Sequence, residues 1–196
     1  MLIIEIISYF SLILTATVFG SLTWLFADAL TLRIEIKTLM KALACFLFAA
    51  ASSLKLIPPF VPLLQTNYIF LLQNIALWLF LASFIFDQHS KLQLLIILGI
   101  ISQIFLRDHA LLALQALLVS LAILQIAYHT KHRDLIPLIT GFFLIFVAEF
   151  FYSFKSAAWG NLKLSGDFLN IFASIVFFYW LWQYLVIRFN LQKKSK

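Results

Sequence analysis

Glu149 is the one charged residue in an otherwise apolar run, Gly141–Phe154, GFFLIFVAEFFYSF. A carboxylate surrounded by hydrocarbon costs several kcal/mol unless it is protonated, paired or wet. Its presence therefore asks for a partner or for water. Other strong hydrogen-bonding side chains interrupt the apolar runs at similar depth: Gln73 and Asn74, Gln115, and Asn170. Ser153 lies four residues after Glu149, on the same helical face. Polar faces of this kind point into a bundle rather than at lipid. The pattern predicts a polar pocket in which Glu149 has Asn74, Gln115 and Asn170 as neighbours, with Gln73 and Ser153 close by. Such a site binds a cationic or polar ligand, or takes up a proton. A structural alternative competes with it. Glu149 is about five residues, roughly 8 Å, from the end of its run, and Lys155 or Lys163 could reach it there as an ion-pair partner.

A second constellation is the histidines. His89, His129 and His132, with Asp87 and Asp134, fall at one set of run ends. Imidazoles and carboxylates suit zinc or another transition metal, but their spacing matches no closed metal motif. No metal or cofactor is expected.

The elements that must position these residues follow from composition. The chain is 64% hydrophobic and 11% charged over 196 residues, with mean hydropathy +1.04. Soluble domains are about 45–50% apolar and about 25% charged, so this chain belongs to the membrane class. Seven apolar runs stand out: Leu2–Ala27, Thr38–Leu56, Tyr68–Phe86, Leu92–Leu106, Ala110–Tyr128, Leu135–Phe154 and Phe168–Ile187. Most approach the ~20 residues that a helix needs to cross hydrocarbon, and none alternates as a barrel strand would. The expected fold is all-α: a single transmembrane bundle of seven helices over residues 1–196. The fourth run is short and forms a hairpin with the fifth, its turn at Arg107–His109. The first run lacks a basic leader and carries Glu5, so it reads as a retained span.

Basic residues set the orientation. Arg33, Lys37, Lys41, Lys91, Lys131, Arg133, Arg188, Lys193, Lys194 and Lys196 fall on one side; Lys55, Arg107, Lys155 and Lys163 fall on the other. The richer side is expected to be cytoplasmic, which puts the N-terminus outside, the C-terminus inside and Glu149 in the outer half. The pI near 9.6 then reflects contact with anionic inner-leaflet lipid, and no nucleic-acid partner is expected. TLRIEIKTLMK between the first two runs is amphipathic enough to lie in the headgroup plane. Pro58, Pro59 and Pro62 break the next connection. Asp167 is placed as N-cap of the last helix. Cys45, the single cysteine, lies inside the second run as a packing residue.

Several chemistries are excluded by absence. The last run contains no lysine for a retinal Schiff base, and no HExxH, GxSxG or P-loop occurs. Histidines placed outside the runs do not suit an intramembrane hydrolase of the seven-helix ceramidase kind. Paired Pro-Gln motifs of the seven-helix sugar transporters are missing as well.

One arrangement remains. YHTKHRDLIPLITGFFLIFVAEFFYSF is followed by a short connection and the aromatic run FLNIFASIVFFYWLWQYLVI. A basic loop, Leu-x-Pro-Leu, Gly-Phe-Phe, a mid-helix polar residue and an aromatic final helix resemble bacterial and archaeal seven-helix sensor modules, which sit ahead of histidine kinases. The resemblance covers roughly the last third of the chain. It implies a non-enzymatic sensor whose signal passes to a separate membrane or cytoplasmic partner. The basic face (Lys131, Arg133, Arg188, Lys193 and Lys194) would contact that partner or lipid. Alternatives are a small transporter coupled through Glu149 and a structural subunit of a membrane complex. The expected location is a prokaryotic cytoplasmic membrane, or the endoplasmic reticulum in a eukaryote.

Overall fold

Apolar segments in lipid must satisfy every backbone N–H and C=O internally, and a helix does so within one segment. The structure, a computed structural model, describes residues 2–32, 34–57, 62–84, 108–154 and 160–194; at 2–3, 32, 62–66, 160–161 and 187–194 it describes the backbone alone. Among the described residues there are six α-helices: α1 (Leu2–Leu32), α2 (Ile36–Leu54), α3 (Pro62–Ser83), α4 (His109–Thr130), α5 (Ile136–Ser153) and α6 (Gly160–Lys194). Five of them (α1, α2, α4, α5 and α6) are long and apolar enough to cross a membrane; the apolar part of α3, Asn67–Ser83, is shorter. The expected span Leu92–Leu106 lies outside the described residues, as do His89, Lys155 and the turn residue Arg107.

Each helix packs on the next in chain order, and α6 closes the ring on α1. The outward face is apolar. Phe10, Trp24, Phe46, Phe143, Phe172, Phe178 and Trp182 are all exposed, far more contiguous apolar surface than a protein in water carries.

Local chemistry sets the helix ends. Asp108 caps α4, its Oδ1 accepting the Ala110 N–H at 2.9 Å, the usual way to satisfy a free first-turn donor. Lys131 ends α4 in the left-handed region, φ 58°. A 3₁₀ turn, Arg133–Leu135, then leads into α5, with Pro137 in its first turn, where proline's missing N–H costs nothing. Pro62 likewise opens α3. Two expectations are corrected. The stretch between the first two runs is not a separate surface helix, because α1 continues to Leu32 and α2 starts at Ile36. Asp167 does not cap the last helix: α6 starts at Gly160, which leaves Asp167 seven residues inside it. Its carboxylate serves tertiary partners instead.

In lipid the hydrophobic effect gives helices little reason to associate, so close packing must do so. The centre of the ring is a layer of phenylalanines. Phe19 stacks on Phe48 with ring centroids 4.4 Å apart and meets Phe177 edge-on at 5.3 Å. Phe142 meets Phe177 and Phe80, each at 5.1 Å. A Cβ at Gly141 would lie 2.6 Å from the Phe177 ring, so this position must be glycine for α5 and α6 to approach as they do. Cavities lie on both sides of the layer.

Candidate functional site

On one side the six helices enclose a polar cavity of about 520 Å³. Each helix brings one end to it. From α1 come Ser8, Ser11 and Thr15; from α2, Ser52 and the adjoining Lys55; from α3, Gln73. From α4 comes His109; from α5, Glu149 and Tyr152; from α6, Lys163, Asp167 and Asn170. Phe48 contributes to its wall and belongs to the aromatic layer.

Glu149 is buried, its side chain 5% exposed, and its Oε2 lies 2.7 Å from His109 Nδ1. The two side chains are hydrogen-bonded to each other. The half-exposed imidazole belongs to the first residue of α4, where Asp108 starts the helix, and its ring centroid is 5.6 Å from that of Tyr152. Tyr152 in turn donates to Asp167 Oδ1 at 2.7 Å and accepts from Asn170 Nδ2 at 3.2 Å. The second oxygen of Asp167 accepts from the Ser8 hydroxyl. A Cβ at Gly166 would come within 2.7 Å of the Tyr152 ring, so this glycine lets the tyrosine reach Asp167. On the opposite wall Lys55 Nζ donates to Gln73 Oε1 at 3.3 Å. Thr15 Oγ1 bonds the Ser11 carbonyl at 2.8 Å and lies 3.2 Å from Ser174 Oγ; a helical hydroxyl bonded back to its own turn is satisfied without water.

Burial pushes the Lys55 ammonium, one residue past the end of α2, below its ordinary range. The charges of Glu149 and Asp167 act in the opposite direction.

The expected constellation is thus partly assembled here. Glu149, Gln73 and Asn170 line one cavity, together with Lys163, the proposed ion-pair partner. Asn74 and Gln115 do not line it. Gln115 donates to Asn74 at 3.4 Å, and the buried Gln115 Oε1 has no hydrogen-bond partner among the described residues. Ser153 bonds its own helix at the Phe150 carbonyl. The partner of Glu149 is His109, a residue assigned by sequence to a turn. Lys55, Tyr152 and Asp167 were also not assigned to the pocket. A chain reading places them at run ends, and only the closing of the ring turns those ends inward.

The remaining candidates lie elsewhere. His132 pairs with Asp134 at 3.4 Å, both well exposed, and His129 sits near them in the last turn of α4. Among the described residues no three His, Cys, Asp or Glu side chains gather as metal ligands would. Lys131 and Arg133 are exposed at the opposite end of the ring from the cavity, and Arg188, Lys193 and Lys194 lie on the last turns of α6.

Beyond the aromatic layer is a second cavity of about 280 Å³. Its wall is apolar (Leu22, Phe80, Ile123, Phe142 and Trp180 among others) and includes Cys45; among the described residues its one charged group is Lys41, whose Nζ stands 5.2 Å over the Phe84 ring. Comparison with known proteins finds no matching family, no matching curated protein and no matching solved structure.

Proposed function

We propose that this chain is a multi-pass membrane protein of the sensor kind, which binds a polar small molecule in the cavity beside Glu149. The observation that carries the reading is the cavity itself. About 520 Å³ lies within the range of small-molecule sites, roughly 300–1,000 Å³. Lysines, carboxylates, an imidazole and hydroxyls are expensive to hold in a membrane bundle unless they have a task.

The aromatic layer favours a receptor over a transporter. Transport needs a polar path through both halves of the bundle, and Phe19, Phe48, Phe142 and Phe177 stand across it. A ligand in the cavity touches both walls, so its binding shifts α2 and α3 relative to α5 and α6. The far ends of those helices carry the shift to the basic face at Lys131, Arg133 and Arg188, where a partner or anionic lipid reads it.

Seven spans fit the helix directions. α3 runs from Gln73 at the polar cavity to Phe84 at the apolar one, and α4 runs from His109 to Ile126 in the same sense. A chain that leaves α3 at one end and starts α4 at the other must return between them. The distribution of basic residues supports an outward-facing polar cavity and a cytoplasmic C-terminus.

The test is the variant Ser52→Cys in a Cys45→Ala background, in sealed vesicles of known sidedness. An impermeant thiol reagent added to the outer face labels position 52 if the reading holds. Labelling from the inner face alone would reverse the orientation. A folded protein that resists labelling from both faces would replace the receptor by a structural subunit.

A further inference from the structure

The charged groups on the polar cavity's wall are satisfied unequally. Glu149 is hydrogen-bonded to His109, a group that can carry a positive charge of its own. Asp167 receives hydroxyl groups on both oxygens, from Tyr152 and Ser8; these are neutral donors, and Lys163, four residues earlier on α6 at the exposed edge of the same cavity, makes no ion pair with it. Lys55 donates to the Gln73 amide oxygen, a neutral acceptor that leaves its positive charge unbalanced. Neither Glu149 nor Asp167 forms an ion pair with Lys55, although both share its cavity and act on it through space. Opposite charges in a partly desolvated space attract strongly. Here they are held apart, on α2 and on α6, across a space open to small molecules.

We propose that the cavity recognises a small zwitterion, with its anionic group on Lys55 and its cationic group on Asp167. The proposal rests on the ligand-binding reading above. A molecule carrying both charges balances each wall at once. A singly charged molecule leaves the charge on one wall unmatched in a partly desolvated space. Leu12, Phe48 and Phe151 line the same space and suit a short apolar skeleton. Free α-amino acids and zwitterionic lipid headgroups share this chemistry.

The Ser52→Cys reporter tests it, since Ser52 lines the cavity and its hydroxyl bonds only its own helix, at the Phe48 carbonyl. Probes are the common amino acids, glycerophosphocholine and glycerophosphoethanolamine, beside two halves of leucine: 4-methylpentanoate, which lacks the ammonium, and isopentylamine, which lacks the carboxylate. A bound probe at ten times its Kd slows labelling about tenfold. The expected result is protection by at least one zwitterion, none by either half, and loss of protection in both Lys55→Met and Asp167→Asn. Lys55→Arg keeps it. Nanodiscs distinguish the source of the ligand. Slow labelling in phosphatidylethanolamine before any probe is added identifies a headgroup, whereas protection by a free amino acid in phosphatidylglycerol identifies a soluble ligand. Protection by 4-methylpentanoate alone, unchanged in Asp167→Asn, would leave a binding cavity but overturn the zwitterion, and so would labelling that no probe slows. Because the probe comparison leaves Lys55 and Asp167 in place, it decides the matter even if the charge variants fail to fold. A cysteine that never labels would bring down the ligand-binding reading itself.

Discussion

The two cavities of this bundle are made by the same helices and differ in almost everything else. At the Glu149 end each of the six described helices contributes a polar group, and those groups bond across helices: His109 to Glu149, Tyr152 and Ser8 to Asp167, Lys55 to Gln73. At the Lys41 end rings and aliphatic side chains meet without direction, and the charge that is present stands over a ring. Dispersion is short-ranged and tolerant, whereas a hydrogen bond fixes distance and angle. The polar end is therefore the specified half of the molecule and the apolar end the adaptable half. The phenylalanines lie between them.

The comparison breaks most completely if that layer is removed. Phe177 touches both Phe19 and Phe142, so Phe177→Ala joins the two cavities. The cost is about 3 kcal/mol, at the low end of soluble-core values, because the removed ring loses packing but no transfer from water. The expected readouts are a lower melting temperature in detergent and reaction of Cys45, now fully buried, with a thiol reagent added at the polar end. A Cys45 that stays inert would show that the layer is not the barrier.

Gly166→Ala tests the polar half alone. Its Cβ would meet the Tyr152 ring at 2.7 Å; the ring must turn and give up Asp167. Overpacking of this kind costs about 1–3 kcal/mol, and the apolar half should be untouched, with Cys45 still protected. Lys41→Met is the matching test at the other end. It removes a cation–π contact worth about 0.5–1 kcal/mol at a part-exposed site and should leave ligand protection of the Ser52→Cys reporter unchanged. If binding is lost, the two halves are coupled and the division drawn here fails.

The last effect is one of sign. The Lys55 ammonium is lowered by burial, whereas in the unfolded chain it titrates near 10.4. Between those values the unfolded chain holds the extra proton, so stability should rise with pH. Lys55→Met should flatten that rise in melting temperature, measured as the pH is raised toward the ordinary lysine range. An unchanged slope would mean that Lys55 is solvated in the folded protein.

Much of this was legible in the chain. Period-free apolar runs near span length gave the helices, because in lipid no other element satisfies its backbone alone. The same logic marked Glu149 as expensive and therefore partnered or wet, and it placed Gln73 and Asn170 at its depth. Which partner it has was not legible. Asn74 and Gln115 lie near the right level but on a different seam, between α3 and α4. Depth is a one-dimensional coordinate, and a helix's rotation about its axis is set by packing against neighbours far away in sequence. His109, Lys55 and Asp167 look like loop residues for the same reason.

The sequence by itself determined the element type, the solvent that each run must face and the existence of a costly carboxylate, since these depend on transfer free energies that act residue by residue. Tertiary structure alone decided that six helix ends converge, that Phe19, Phe48, Phe142 and Phe177 divide the interior, and that Lys55 and Asp167 face one space without pairing. Those facts depend on distances between residues up to 159 positions apart, as between Ser8 and Asp167, and only the closed ring of helices fixes them.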